Sequence, residues 1–147
     1  MFSYTHVVQY YETDKMGMTH HSNYIRWMEE ARVDFMAKTG WDYAVMEKEG
    51  IVSPVLAVEC EFKTATTFED VVTIDVSIEE VTPVRMTIGY DMKNEEGKQV
   101  CAGYSKHCFL DEEGRPVRMN RRLPGFYDMM KDLSEGGGQN VASVSEK

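Results

Sequence analysis

Residues 22–40 of the chain read SNYIRWMEEARVDFMAKTG, and this stretch carries the clearest pattern in the sequence. Its apolar side chains recur at helical spacing and form one stripe: Tyr24, Met28, Ala31 and Phe35. A repeat near 3.6 residues predicts an amphipathic α-helix. Ser22 is a good N-cap for this helix, and Gly40 suits its C-terminal end. The pattern therefore predicts one long helix that must bury a single face.

On the C-terminal side of this helix the hydrophobic period changes to two. Apolar and polar side chains alternate over 72–79, 86–92 and 100–110. In the last run the predicted apolar face consists of Val100, Ala102, Tyr104, Cys108 and Leu110. The segments 55–62 and Tyr4 to Glu12 also have strand-like composition. This alternation predicts an antiparallel sheet that is covered on one side only.

These elements define an α+β fold. Because one helical stripe has to cover one apolar sheet face, the simplest arrangement wraps a five-stranded antiparallel sheet around the long helix. Shorter helices are predicted over 42–49 and 124–133. The domain is expected to span 1–133, and the glycine-rich tail, 134–147, is expected to be disordered. An exposed edge strand favours pairing with a second copy, so we expect a homodimer.

Composition excludes several classes of function. A net charge of −9 over 147 residues argues against nucleic acid as the main partner, since phosphate binding needs a basic face. No apolar run approaches the roughly 20 residues of a membrane helix, and the N-terminus lacks a secretory pattern, so we expect a cytoplasmic location. Three cysteines without CxxC spacing indicate buried reduced thiols rather than a disulfide framework or a zinc site.

The loop before the long helix is the strongest candidate for a site; residues 10–24 read YYETDKMGMTHHSNY. Asp14 is suited to act as the nucleophile or base in ester or thioester hydrolysis, and the backbone N–H groups near His21 would stabilise the oxyanion. Gly17 would allow a tight turn close to a substrate. Two alternatives stay open: Asp14 as an Asx-turn residue only, and His20 and His21 as polar loop residues only.

This loop resembles the signature of the 4-hydroxybenzoyl-CoA thioesterase family of hotdog-fold proteins. The family pattern is Asp, two residues, Gly, three residues, His or Tyr, one residue, then Asn-Tyr. Its positions here are Asp14, Gly17, His21, Asn23 and Tyr24. The helix segment 25–32 and the closing segment 111–117 are also similar, and the resemblance covers roughly Ser3 to Leu123.

The resemblance implies hydrolysis of an acyl-CoA thioester by a homodimer or homotetramer, without a metal or cofactor, at a site near the dimer interface. By the same resemblance Asp14 is the catalytic carboxylate, as nucleophile or as general base, and the backbone N–H of His21 polarises the thioester carbonyl. Gly17 and Tyr24 become candidates for substrate binding, although the apolar spacing of Tyr24 also fits the core.

The resemblance leaves the acyl and nucleotide contacts open. His20 stands where relatives often carry an aromatic residue, and 64–67 lacks a proline that they often have. Arg85 and Arg118 are the candidates for binding CoA, but the cluster 115–122 that contains Arg118 also reads as a solvated basic face. Two other functions remain: hydrolysis of acyl groups on a carrier protein, and acyl-CoA binding without catalysis.

Overall fold

The structure is a computed structural model that describes residues 2–136. Its strands are β1 (Phe2–Val7), β2 (Val55–Phe62), β3 (Val71–Val81), β4 (Arg85–Lys93) and β5 (Gln99–Cys108). Its helices are α1 (Ser22–Thr39), α2 (Tyr43–Lys48), α3 (Met119–Arg122) and α4 (Pro124–Ser134), with a 3-10 helix at Tyr10–Glu12. The predicted long helix and five strands are thus confirmed. Most of the predicted tail, 137–147, lies outside the described residues.

The five strands form one antiparallel sheet in the order β1-β3-β4-β5-β2. The central strands present the alternating side chains predicted from the sequence, and their apolar faces are buried. Helix α1 packs on this face through Trp27, Met28, Ala31 and Phe35, which are at most 2% exposed. The α+β fold with a sheet around one long helix is therefore confirmed.

Strand β1 is shorter than the predicted segment Tyr4 to Glu12. It ends at Val7, and the chain then turns through the 3-10 helix. The Glu12 carboxylate accepts a hydrogen bond from the backbone N–H of Gln9 at 2.8 Å, which closes this turn. Aromatic residues gave the segment its strand-like composition, but a capping side chain determines its geometry.

The predicted apolar face of β5 is wrong. Ile88 pairs with Ser105 and Tyr90 pairs with Gly103, so the odd-numbered residues of β5 face the core. Gly103 lies under α1, where a Cβ atom would come within 2.6 Å of the Met28 Cε atom. The core-facing residues of β5 are therefore Cys101, Gly103, Ser105 and His107, while Ala102 and Tyr104 face away from the helix. Val100 lies at the register shift next to Lys93 and is buried in the core, as predicted.

Candidate active site

The loop that carries Asp14 is an Asx turn. The Oδ1 atom of Asp14 accepts hydrogen bonds from the backbone N–H groups of Met16 at 2.8 Å and Met18 at 3.3 Å. Gly17 has a φ of 79°, a left-handed conformation that favours glycine, and its N–H donates to the Asp14 carbonyl. The turn interpretation of Asp14 is thus correct for one carboxylate oxygen.

The second carboxylate oxygen of Asp14 has a different environment. Within residues 2–136, Oδ2 has no hydrogen-bond partner. Asp14 is half-buried and borders a groove of about 300 Å³. The groove is also lined by Met18, Thr19, His21, Tyr24, Phe62, Lys63, Thr64 and Ala65. The turn therefore fixes one oxygen and leaves the other available to a bound molecule.

The start of α1 faces the same groove. The predicted N-cap, Ser22, is instead the first residue of the helix, and His21 precedes it. The ring Nδ1 of His20 accepts a hydrogen bond from the Ser22 N–H at 3.2 Å, so a histidine side chain takes the capping position. The backbone N–H of His21 has no hydrogen-bond partner in the described part of the chain. This amide lies at the positive end of an 18-residue helix.

Tyr24 connects the two sides of the groove. Its hydroxyl lies 2.9 Å from Thr66 Oγ1, which in turn lies 2.6 Å from Thr19 Oγ1. Its ring packs against Trp27 and Phe62, at centroid distances of 4.7 and 5.2 Å. Burial raises the pKa of Tyr24, so its hydroxyl stays protonated. Tyr24 thus belongs both to the core and to the wall of the groove.

A buried carboxylate lies beneath the Asp14 loop. Glu12 is 5% exposed and accepts hydrogen bonds from His6 Nε2 at 2.8 Å and Trp27 Nε1 at 2.9 Å. Burial opposes its ionisation, but these bonds and that from the Gln9 N–H lower its pKa overall. The Glu12 carbonyl also accepts from the side-chain amide of Asn23 at 2.9 Å. Glu12 therefore anchors the loop to α1.

The structure does not bring all predicted site residues together. Asp14, His21 and Tyr24 line one groove, and Gly17 shapes the turn without lining it. Arg85 begins β4 at the other end of the sheet, and β4 is about 26 Å long at ~3.3 Å per residue. Arg118 lies near Arg85, because the N–H of Met119 donates to the Pro83 carbonyl.

Sequence reasoning did not assign four consecutive residues to the groove: Phe62, Lys63, Thr64 and Ala65. Phe62 is the last residue of the exposed edge strand β2, and the other three follow it. The backbone N–H of Lys63 donates to the Val100 carbonyl of β5. Only this long-range pairing places them opposite His21. In the described range 2–136 there is no group of three or more His, Cys, Asp or Glu residues suited to a metal ion. The same range contains no helix of the length and apolarity that crossing a membrane requires.

Comparison with known proteins shows the family of the chain. Residues 8–135 match the family model described as the thioesterase-like superfamily, and the chain belongs to that family of thioester hydrolases. The resemblance to 4-hydroxybenzoyl-CoA thioesterases is thereby confirmed at the level of the superfamily.

Three similar proteins illustrate the match. One from Aquifex aeolicus, named "Putative esterase", is 36% identical over 89% of this chain and 98% of its own length. One from Bacillus subtilis, named "Putative acyl-CoA thioesterase YneP", is 30% identical over 82% of this chain and 88% of its own. The solved DHNA-CoA thioesterase of Staphylococcus aureus superposes with a TM-score of 0.87 at 29% identity, covering 94% of this chain and 93% of the other.

Proposed function

We propose that this protein hydrolyses an acyl-CoA thioester to a free acid and CoA, with Asp14 and the backbone N–H of His21 as its catalytic groups. The observation that carries the proposal is that Asp14 and His21 line one groove, while the Asp14 Oδ2 atom and the His21 N–H have no hydrogen-bond partner within residues 2–136. A carboxylate and a preorganised donor are the two elements that thioester hydrolysis needs.

The chemistry assigns one role to each group. The thioester carbonyl oxygen accepts a hydrogen bond from the His21 N–H, whose position at the N-terminus of α1 stabilises the developing negative charge. Asp14 Oδ2 then has two routes. It either attacks the carbonyl carbon, releasing CoA thiolate and leaving a mixed anhydride that water hydrolyses, or it takes a proton from a water molecule that attacks the carbon, after which the C–S bond breaks and CoA thiolate leaves.

A homodimer formed through β2 would complete the site. β2 is an edge strand, and its exposed apolar side chains are Val55, Leu56, Val58 and Phe62. An exposed edge of this kind favours antiparallel pairing with a second copy about a two-fold axis. Such pairing places the Val55 end of one β2 beside the Phe62 end of the other.

The dimer also gives the distant arginines a role. Val55 pairs with His107, and Arg85 pairs with Cys108, so Arg85 lies at the Val55 end of the sheet. Two-fold pairing would bring Arg85 and Arg118 of the partner subunit towards the Asp14 groove. We propose that these cations bind the phosphates of CoA in the site of the other subunit. Because the chain has a net charge of −9, binding of CoA phosphates needs such a local group of positive charges.

The test is thiol release from a panel of short, long and aromatic acyl-CoA thioesters. The proposal expects turnover of at least one class, with equal amounts of free thiol and free acid. Tight binding of these thioesters without thiol release would support a non-catalytic acyl-CoA-binding protein instead. Turnover only of acyl groups on a carrier protein would contradict the assignment of CoA.

A further inference from the structure

Three cavities follow one another along one face of α1. The groove of Asp14 contacts the helix at His21 and Tyr24. A small cavity of about 60 Å³ follows at Ile25, Met28 and Glu29, and one of about 200 Å³ at Arg32 and Met36. Positions spaced by three, four and seven residues share a helical face. The three cavities therefore lie in one row along α1, which we call the path, and the row begins at His21.

The opposite wall of this path is β2 and the segment before it. Phe62 faces the first cavity, Val58 and Val55 face the second, and residues 51–53 face the third. The chain thus runs antiparallel to α1 along the whole path. Ile25 and Glu29 lie four and eight residues after His21, so the helix rises about 6–12 Å between His21 and the middle cavity at ~1.5 Å per residue. This rise is the depth of the middle cavity measured from His21.

The middle cavity is lined by three buried polar side chains that hydrogen bonds link into a chain. Tyr90, Ser105 and His107 all line it and are at most 4% exposed. The Tyr90 hydroxyl lies 2.7 Å from Ser105 Oγ, which lies 2.7 Å from His107 Nε2. The rest of the lining is largely apolar, with Ile25, Met28, Val55 and Val58. Polar groups in such surroundings need hydrogen-bond partners.

This hydrogen-bonded set of three side chains has one donor hydrogen more than its hydrogen bonds use. Tyr90, Ser105 and a neutral His107 carry three hydrogens for two hydrogen bonds, so one N–H or O–H remains unused. We assign that hydrogen to His107 Nδ1, because Nδ1 is a buried atom without a hydrogen-bond partner in residues 2–136, whereas Nε2 is bonded to Ser105 Oγ. The Ser53 Oγ atom is likewise buried without a partner in the described residues. A buried donor without a partner destabilises the folded state, so a ligand atom that accepts its hydrogen bond would bind favourably.

We propose that the Tyr90–Ser105–His107 chain is a specificity subsite that recognises a hydrogen-bonding oxygen on the acyl group, 6–12 Å from the thioester carbon at ~1.5 Å rise per residue of α1. The inference rests on the proposed thioesterase function and deepens it. The preferred substrates are acyl-CoA thioesters that carry a hydroxyl or carbonyl oxygen at this depth. The oxygen accepts the spare hydrogen bond, and the apolar walls hold the intervening carbon atoms.

The experiment compares kcat/KM for two matched pairs of CoA thioesters: octanoyl with omega-hydroxyoctanoyl, and phenylbutanoyl with hydroxyphenylbutanoyl. The aliphatic and the aromatic pair show which carbon skeleton the path accepts. We expect the oxygenated member of at least one pair to be favoured roughly tenfold, the value of one buried hydrogen bond. Equal kcat/KM within both pairs would show that the cavity holds only water and would overturn the proposal.

Variants of His107 locate the effect. The amide of His107→Asn reaches about as far as Nδ1 and keeps the spare donor, whereas the longer His107→Gln reaches towards Nε2 and Ser105. We expect the ratio of kcat/KM for the oxygenated thioester to that for its unsubstituted partner to persist in His107→Asn and to approach one in His107→Gln. Tyr104→Phe, on the opposite face of β5, is the matched control and keeps the ratio. A preference that survives His107→Gln would overturn the assignment of the subsite to His107. If a variant does not fold, the comparison of the two substrate pairs with the wild-type protein decides the question.

A binding measurement separates this proposal from the proposed function. Titration of both pairs into Asp14→Asn reports affinity without turnover. If no thioester is hydrolysed by the wild type but the oxygenated thioesters bind roughly tenfold more tightly, the proposed hydrolysis fails and the subsite stands. If hydrolysis proceeds without any preference in rate or affinity, the subsite fails and the proposed function stands.

Discussion

Asn94 makes in its own loop the hydrogen bonds that Asp14 makes in the loop of the candidate site. Each side-chain Oδ1 accepts from the N–H groups two and four residues on, and each loop has a glycine at the fourth position with φ near 80°, namely 79° at Gly17 and 83° at Gly97. Asparagine therefore supports this turn without a carboxylate. What distinguishes Asp14 is that it lines the same groove as His21, not its turn.

The His21 amide can be removed without changing the helix start. His21 has a φ of −57°, close to that of proline, and its N–H is not used by another residue in the described chain. We predict that His21→Pro lowers kcat by roughly 10²–10³, as loss of an oxyanion donor does. His21→Ala is the matched control, since it keeps the N–H, and should lose much less. Similar losses in both variants would indicate that the imidazole is the important group.

A second prediction concerns stability in acid. Burial, reinforced by the charge of Arg32, lowers the pKa of His107 from 6.5 to about 4. As the pH falls from 6.5 to about 4, the unfolded chain takes up a proton here that the folded chain does not. The free energy of unfolding should therefore decrease on acidification, by up to roughly 3 kcal/mol from this group.

Urea unfolding across this pH range, for the wild type and His107→Gln, measures the effect. The wild type should lose more stability than the variant between pH 6.5 and 4.5, before Glu12 begins to protonate at still lower pH. Parallel pH profiles for the two proteins would show that His107 takes up its proton equally in the folded and unfolded states.

Glu12 offers a test of how the loop is held. Its carboxylate accepts hydrogen bonds from Gln9, His6 and Trp27, and a Gln side chain would replace one acceptor oxygen with a donor. We predict that Glu12→Gln destabilises the fold by roughly 2–3 kcal/mol in chemical denaturation. Glu30→Gln, at a half-buried carboxylate that also contacts His6, is the control and should cost less. Equal losses of unfolding free energy in the two variants would show that Glu12 has no special role in holding the loop.

Mixing two inactive variants tests whether a partner subunit supplies the arginines. Asp14→Asn lacks the carboxylate, and the double variant Arg85→Gln, Arg118→Gln lacks the cations. If each site combines both subunits, half of the randomly formed dimers contain one intact site, and mixing restores roughly a quarter of wild-type turnover. Failure to recover activity after exchange of subunits is the result that contradicts a shared site.

The fold was predictable because its main signals are local. The stripe of Tyr24, Met28 and Phe35 and the alternation over 72–79 report which face of each element is buried. The core face of β5 was not predictable, because register against Ile88 and Tyr90, rather than hydrophobicity, sets it.

The candidate site divides in the same way. Asp14, Gly17 and His21 lie within one short loop, and a motif of eight residues finds them. Lys63 and Thr64 reach the groove through the pairing of β2 with β5, and Arg85 is placed far from Asp14 by the length of β4. The capping role of His20 depends on a side-chain orientation that composition does not encode.

The role of Asp14 as the catalytic carboxylate is tested by kcat of Asp14→Asn for the best acyl-CoA thioester, followed by thiol release. Asp111→Asn is the matched control, because Asp111 makes the same turn with Glu113 and Arg115. We predict that Asp14→Asn keeps its fold and loses roughly 10²–10⁴ in kcat, while Asp111→Asn retains its activity. Turnover by Asp14→Asn close to that of Asp111→Asn would contradict the account.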